Sequence, residues 1–321
     1  MSTFDFEGQE IVAEGQETVL SALLRHGVDI QNRCRTGACQ SCLLRTPGKA
    51  PAQAQNGLDE TLVERGVFMS CQAAAKDVER VERVESEMFP KYPAHLVNKR
   101  MASGDVMIFD FEVPGWQASP GRFVRLTHST GVSRPYSIAT PAWESTSKVS
   151  LHVRLIPGGA MSHCLSNLES DDAFTLEGPF GRCFYRCNDL NQPILLIGSG
   201  TGLAPLYGIA TDALSRGHVG PITLFHGART TSHLYFQEEL GDLSAKYPNF
   251  MYYPCVESLP RDTEFLGSPL VHALATHTDL EGFKVYLCGN PELVRTSQKK
   301  CFLAGANLKD IASDAFEAAS I

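Results

Sequence analysis

Four cysteines constrain this chain more than any other feature. Cys34, Cys39 and Cys42 are spaced C-x4-C-x2-C, and Cys71 completes the set after 28 intervening residues. Four thiolates at this spacing can hold the two irons of a [2Fe–2S] cluster. The residues between them are small (Thr36, Gly37, Ala38, Ser41), so the backbone can wrap closely and bring its N–H groups to the cluster sulfurs. Gly37 can take a positive φ in a tight turn without steric cost. Zinc is a competing reading, since Cys39 and Cys42 form a CxxC pair. A structural zinc site usually repeats that pair or adds histidines at short spacing, and neither is nearby. Disulfides are a third reading, and they need an oxidising compartment that nothing else in the sequence supports. The cluster is the favoured reading. It moves one electron at a time, which raises the question of the electron source.

The chain has 321 residues, enough for two or three domains. Its 43% hydrophobic and 20% charged residues are ordinary for a globular protein. A net charge of −8 argues against a nucleic-acid partner, which would need a basic face. Residues 1–10 are polar and acidic, unlike a signal peptide. No apolar run approaches the ~18 residues of a membrane-spanning helix. Of the ten cysteines, Cys164, Cys183, Cys187, Cys255, Cys288 and Cys301 show no metal spacing. That pattern fits a reducing cytoplasm. All but Cys288 read as small buried hydrophobes. A cytoplasmic monomer is the expectation.

Residues 3–14 alternate around Gly8 and predict a β-hairpin. Thr18 can cap a helix that carries Leu20, Leu23 and Leu24 on one face and ends at Gly27. With the cysteine loop these elements make a β-grasp-like domain over residues 1–88. It closes after Cys71, where Val78, Val81 and Val84 sit among charges. Arg33, Arg35 and Arg45 flank the cluster loop, either as a solvated rim or as a docking patch for an acidic partner. Pro90 and Pro93 should break any regular element over residues 88–93, which reads as a linker. Residues 95–189 are β-rich, with strands at 106–113, 123–126 and 149–155 punctuated by Gly and Pro, and predict an antiparallel barrel. Over residues 192–321 strand-like runs (193–197, 222–225, 251–256, 285–287) alternate with helical ones (203–215, 234–246, 269–275, 292–303). That rhythm predicts an α/β domain with a parallel sheet.

The two later domains carry their own motifs. Arg134-Pro135-Tyr136-Ser137 ends a β segment, and Gly158-Gly159-Ala160-Met161-Ser162 follows one strand later. These resemble the R-x-Y-S and G-x-x-S motifs that serve a flavin in the ferredoxin–NADP reductase superfamily. The chemistry suits the residues. A guanidinium fits a flavin phosphate, and a tyrosine ring can pack on the isoalloxazine. The Ser137 hydroxyl can bond the ring where hydride arrives, and bare N–H groups of Gly159 to Ser162 can meet a pyrophosphate. Gly198-Ser199-Gly200-Thr201-Gly202 lies between a strand and a helix, where a loop can cradle phosphates. Pro205 suits the first helical turn. Leu203 departs from G-x-G-x-x-G and agrees with the superfamily's G-x-G-T-G-x-A-P. In Cys288-Gly289-Asn290-Pro291 the resemblance implies a C-G-x-P cysteine beside the nicotinamide.

The resemblance covers nearly the whole chain. A plant-type [2Fe–2S] ferredoxin domain, then a flavin barrel, then a nucleotide domain is the order in reductase components of bacterial multicomponent oxygenases of the benzoate dioxygenase reductase type. Further matches are Gly227-Ala228-Arg229-Thr230, Leu234-Tyr235 and the closing Asp314-Ala315-Phe316, which add Arg229 and Phe316 to the cofactor-binding set. Gln40 replaces the family's usual glycine, and His233 stands where relatives often have aspartate. The resemblance implies electron flow from NADH through FAD to [2Fe–2S], with Ser137 and Cys288 at the hydride-transfer site and a terminal oxygenase or its ferredoxin as acceptor. A flavin must stand between, because it takes an electron pair and releases it singly. A deoxysugar dehydrase is an alternative client. A redox-sensing or metal-binding interaction module, with silent flavin and nucleotide sites, is the rival from another class. Purified protein should be brown-yellow with about two irons and one flavin per chain, and acid extraction should release FAD, not FMN. Zinc without iron in metal analysis would overturn the cluster reading.

Overall fold

The computed structural model describes residues 2–32, 35, 37, 40–58, 60–84, 89–117, 120–144, 147–168, 172–186, 189–258, 261 and 264–316. They build three sheets in two compact units. The first unit comprises Met1–Pro90 with Phe180–Arg182. Ser2–Phe6 (β1) and Gln9–Ala13 (β2) form the expected hairpin, turning Phe4, Phe6, Ile11 and Ala13 inward. Val19–Arg25 (α1) starts where the Thr18 hydroxyl accepts the Ser21 N–H at 3.2 Å, and it buries Val19, Leu20, Ala22 and Leu23. Leu43–Arg45 (β3), Glu60–Glu64 (α2), Val67–Met69 (β4) and Arg80–Arg83 (β5) follow. The order is β2-β1-β5-β3-β4, with β1 and β5 parallel and the other pairs antiparallel. This is the mixed sheet of a β-grasp, with the α1 side chains in its core.

The second unit, Lys91–Pro179 with Cys183–Ile321, holds the other two sheets. Lys91–Met101 (β6), Val106–Glu112 (β7), Phe123–His128 (β8), Ser133–Ser137 (β9), Lys148–Arg154 (β10), Ala160–Ser166 (α3) and Phe174–Phe180 (β11) make an antiparallel sheet of order β10-β7-β6-β11-β8-β9. An antiparallel bridge between Ile138 and Leu151 draws the end of β9 back to β10 and closes the barrel. Val149, Leu151 and Val153 of β10 point into its core. His152, on the opposite face of the same strand, is also buried.

The expected break at residues 88–93 is overturned in part, because β6 begins at Lys91 and includes Pro93. Over residues 91–94 the strand pairs only with β11, and β7 joins from His95 onward. Pro93 therefore sits where one side of the strand needs no N–H donor.

Ile194–Ser199 (β12), Leu203–Ser215 (α4), Ile222–Ala228 (β13), Gln237–Lys246 (α5), Phe250–Val256 (β14), Phe265–Leu266 (β15), Pro269–Thr276 (α6), Lys284–Gly289 (β16), Pro291–Leu303 (α7) and Ile311–Ala315 (β17) complete the chain. Their sheet is parallel throughout, in the order β15-β14-β13-β12-β16-β17. Residues of α4 and α5 bury against one face and residues of α6 and α7 against the other. Helix α5 starts three residues later than the apolar pattern suggests, because Phe236 sits at φ +62, outside helical space. The sheet grows from β12 outward in both directions. Such a switch point opens a crevice at the carboxyl ends of β12 and β16, where open α/β sheets bind ligands.

Candidate cofactor sites

In the first unit the cluster loop is built around unusual backbone. Arg35, Gly37 and Gln40 all take positive φ, at +53°, +79° and +53°. Gly37 leaves no room for a side chain, since a Cβ there would lie 2.9 Å from Gln72 Cγ. Cys42 and Cys71 are buried beside each other, and that contact, with burial, pushes the Cys42 thiol far up. Ser70 Oγ donates to the Cys42 carbonyl at 2.7 Å, and Gln72 Nε2 lies 3.4 Å from Cys71 Sγ. Two adjacent buried thiols, Cys42 at the end of a left-handed, glycine-bearing loop and Cys71 after β4, suit a [2Fe–2S] group, whose irons would take both as thiolates. Cys34, Cys39 and Arg33 lie outside the described residues. Gln40, the departure from glycine, pays its conformational cost with side-chain bonds. Its Nε2 donates to the Gly57 carbonyl at 3.0 Å, and its Oε1 accepts the Gly181 N–H at 3.1 Å. Arg35 is exposed, and Arg45 is paired with Glu82 at 3.5 Å.

The second unit gathers most of the remaining predicted residues around the crevice at β12 and β16. Ser137, at the end of β9, donates from Oγ to Asp314 Oδ2 at 3.1 Å. Asp314 lies in β17 directly beside Cys288 of β16, which lies in turn beside Gly198 of β12. The Phe316 N–H donates to the Gly289 carbonyl at 2.8 Å. Gly202 presses on the Cys288 carbonyl so closely that a Cβ would collide with it, and Gly289, at φ +110°, lies equally close to Ser199. Thr201 and Gly200 complete the loop, while Pro205 is buried in α4 and supports it. Asn290 caps α7 and Pro291 opens it, so that element runs from the crevice as expected. Arg229 is exposed, with Nη2 3.5 Å from His233 Nε2.

Arg134 and Tyr136 stand on β9. Arg134 Nη1 donates to the Ser133 carbonyl at 2.8 Å, and the residue forms no ion pair among the described residues, as suits a cation that meets a phosphate. Burial holds the Tyr136 phenol well above its usual range. Gly159 is tight against the Ile156 carbonyl, Ser162 Oγ accepts the Ile156 N–H at 2.9 Å, and Met161 is buried in the barrel core. The Gly159 N–H is spent on the Ile156 carbonyl at 2.9 Å, so the backbone amides of Ala160, Met161 and Ser162 are what this turn has left to offer a ligand.

Three neighbours were not singled out from the sequence. Arg154, at the end of β10, lays its guanidinium over Gly200 and pairs with Asp105 at 3.2 Å. Asp314 fixes the Ser137 hydroxyl, a role that its Asp-Ala-Phe motif does not announce. Cys183 reads from the sequence as an inert core thiol, yet its Sγ lies 3.4 Å from Cys288 Sγ. Burial, reinforced by that contact, holds the Cys288 thiol protonated well above its usual range. Cys164 also departs from expectation, being half-exposed.

Three family profiles match in turn: a 2Fe-2S iron-sulfur cluster binding domain over residues 3–76, an oxidoreductase FAD-binding domain over 93–185 and an oxidoreductase NAD-binding domain over 196–299. The fold and these sites define an iron–sulfur flavoprotein oxidoreductase that uses a nicotinamide nucleotide. Within that class the chain belongs to the reductase components of multicomponent oxygenases. It is 30% identical over 318 residues to reductase component 2 of terephthalate 1,2-dioxygenase from a Comamonas species, covering 95% of this chain and 93% of the relative. It is 31% identical over 317 residues to the reductase component of phenol 2-monooxygenase from a Pseudomonas species, covering 91% and 87%. Among solved structures, the Amycolatopsis cytochrome P450 reductase GcoB is 26% identical, with full coverage of both chains and a TM-score of 0.71. Among the described residues no helix is long and apolar enough to cross a membrane.

Replacing Gly202 with Ala should force the loop off β16 and weaken nucleotide binding by about tenfold or more. Flavin and cluster absorbance should stay intact, and titration of flavin bleaching by NADH measures the loss.

Proposed function

We propose that this chain carries electrons from NADH through FAD and its [2Fe–2S] cluster to the terminal oxygenase, or oxygenase ferredoxin, of an aromatic or hydrocarbon-oxidising system. The division of labour is a ferredoxin domain over residues 1–88, a flavin domain over 95–189 and a nucleotide domain over 192–321, acting as a cytoplasmic monomer. The observation that supports this reading most is the convergence of Ser137, Asp314, Cys288 and the Gly200–Gly202 loop on one crevice, in a chain that also carries the four-cysteine loop.

When bound, the flavin accepts the electron pair of NADH and passes it on singly to the cluster. The residues around it bind, orient and stay uncharged. Arg134 meets the flavin phosphate and the amides of Ala160 to Ser162 meet its pyrophosphate side, the Gly159 N–H being held by the Ile156 carbonyl. Tyr136 supplies a ring face. Asp314 accepts the hydrogen bond of the Ser137 hydroxyl and so fixes its orientation, with the oxygen's lone pairs left for the ring. Cys288, kept neutral by burial and by Cys183, walls the nicotinamide pocket without placing an anion there. Gly200, Thr201 and Gly202 offer backbone N–H groups to the nucleotide, with Arg154 beside them. Phe316 and Gly289 close the far side.

The nucleotide is NADH. A 2′-phosphate calls for cations beyond the second strand of this domain. Arg229 is the cation there, and it leans on His233, whereas Glu238 brings negative charge to the first turn of α5, where Glu239 is paired with Arg100 at 3.4 Å.

Two measurements test the scheme. Cys71→Ser should abolish cytochrome c reduction while sparing NADH reduction of two-electron dyes, which draw on the flavin directly; loss of both activities would remove the cluster from its terminal position. Comparing kcat/KM for NADH and NADPH at matched ionic strength should favour NADH. A preference for NADPH that Arg229→Ala removes selectively would reverse the nucleotide assignment.

A further inference from the structure

Behind the glycine loop lies a group of buried rings that the scheme above leaves unused. His226, in β13, is fully buried, and its Nε2 lies 3.0 Å from the Gly200 carbonyl oxygen. A carbonyl only accepts, so Nε2 carries the hydrogen and Nδ1 presents a bare lone pair. That Nδ1 is buried with no hydrogen-bond partner among the described residues. Burial, with the Arg154 cation adding to it against the pull of the Gly200 carbonyl, lowers the ring's ionisation to about 4. His226 packs edge-on against Tyr235, with ring centroids 5.8 Å apart at 90°. The Tyr235 hydroxyl in turn lies 3.0 Å from Nδ1 of His152 in β10.

A leucine would fill this space without stranding a nitrogen. What the imidazole adds is its donor, and the acceptor is informative. Gly200 sits at φ +54° with no side chain of its own to restrain it, and its carbonyl also accepts the Leu203 N–H of the same turn, so His226 is the second donor on that oxygen. In a trans peptide the C=O and the next residue's N–H point to opposite sides. A Gly200 carbonyl held toward His226 therefore sets the Thr201 N–H on the opposite side of that peptide, away from the imidazole.

We propose that His226 is a positioning residue for the nucleotide: it holds the Gly200 carbonyl and thereby aims the Thr201 N–H at the pyrophosphate. Tyr235 and His152 brace its ring. The inference rests on the reading of the Gly200–Gly202 loop as the nucleotide cradle. His226 touches no ligand, so it sets affinity and leaves the chemical step alone.

The test uses the holoprotein, steady-state kinetics with NADH, and ADP-ribose as a probe that lacks the nicotinamide. ADP-ribose should compete with NADH in the unaltered protein. His226→Leu should raise KM for NADH and Ki for ADP-ribose together by about tenfold, the scale of one hydrogen bond between neutral groups. At saturating NADH its kcat should stay within about twofold, since no transition-state contact is lost. His226→Gln, whose side-chain amide can donate from the same place, should recover most of the affinity. An unchanged KM in the leucine variant overturns the proposal. Equal damage in both variants, with loss of flavin, also overturns it, by making the ring a packing element only. If ADP-ribose fails to compete in the unaltered protein, the cradle reading itself falls and takes the proposal with it.

Discussion

Backbone lies directly on backbone where the loop after β12 meets the end of β16, and the nucleotide half of the molecule depends on that contact. Gly202 and Gly289 lack the Cβ that would collide there, and Gly198 lacks the one that would crowd the Cys288 carbonyl and strike Leu206. With the side chains gone, β12 and β16 hold the loop and Cys288 at one level, and β17 sets Asp314 beside Cys288. From that position Asp314 reaches Ser137 on the barrel. Residues far apart in sequence meet because three peptide segments can stack without side chains between them.

The charges around this contact are sorted. Arg154, Arg134 and Arg229 are half or fully open to solvent. The groups behind them, Cys183, Cys288, His152, His226 and Tyr235, are buried, and where burial shifts their ionisation it favours the uncharged form. Cations at the rim suit phosphates, which arrive hydrated and charged. A neutral interior suits a ring system whose own charge changes as electrons pass, because no fixed buried ion then opposes either state.

Features that need a particular residue type at a fixed spacing were legible in the sequence. Four thiolates around two irons leave a spacing that folding cannot alter, and a phosphate loop leaves its glycines. The strand–helix alternation after residue 192 was equally plain. What escaped were contacts made only by tertiary approach. Arg154 looks like any strand-end arginine until β10 brings it over Gly200. Cys183 looks like core until it meets Cys288, more than a hundred residues away. Strand β6 was hidden by Pro93, because a one-dimensional reading cannot tell that this stretch pairs on one side only. Gln40 looked like a lost glycine, and only the structure shows its side chain bonded at both ends.

Two of the buried imidazoles, His152 and His226, carry a thermodynamic consequence for the fold itself. In an unfolded chain both would take up protons near their ordinary value of 6.5, whereas in the folded chain burial delays this to about 3 for His152 and about 4 for His226. Between those limits the unfolded state binds more protons than the folded one. Their contribution is fully present above pH 6.5 and drains away as acidity rises toward pH 4 and below, at about 1.4 kcal/mol for each unit by which the two states differ. Mild acid thus loosens the junction of barrel and nucleotide sheet from within, where His152 on one side and His226 on the other must give up a dry, neutral setting.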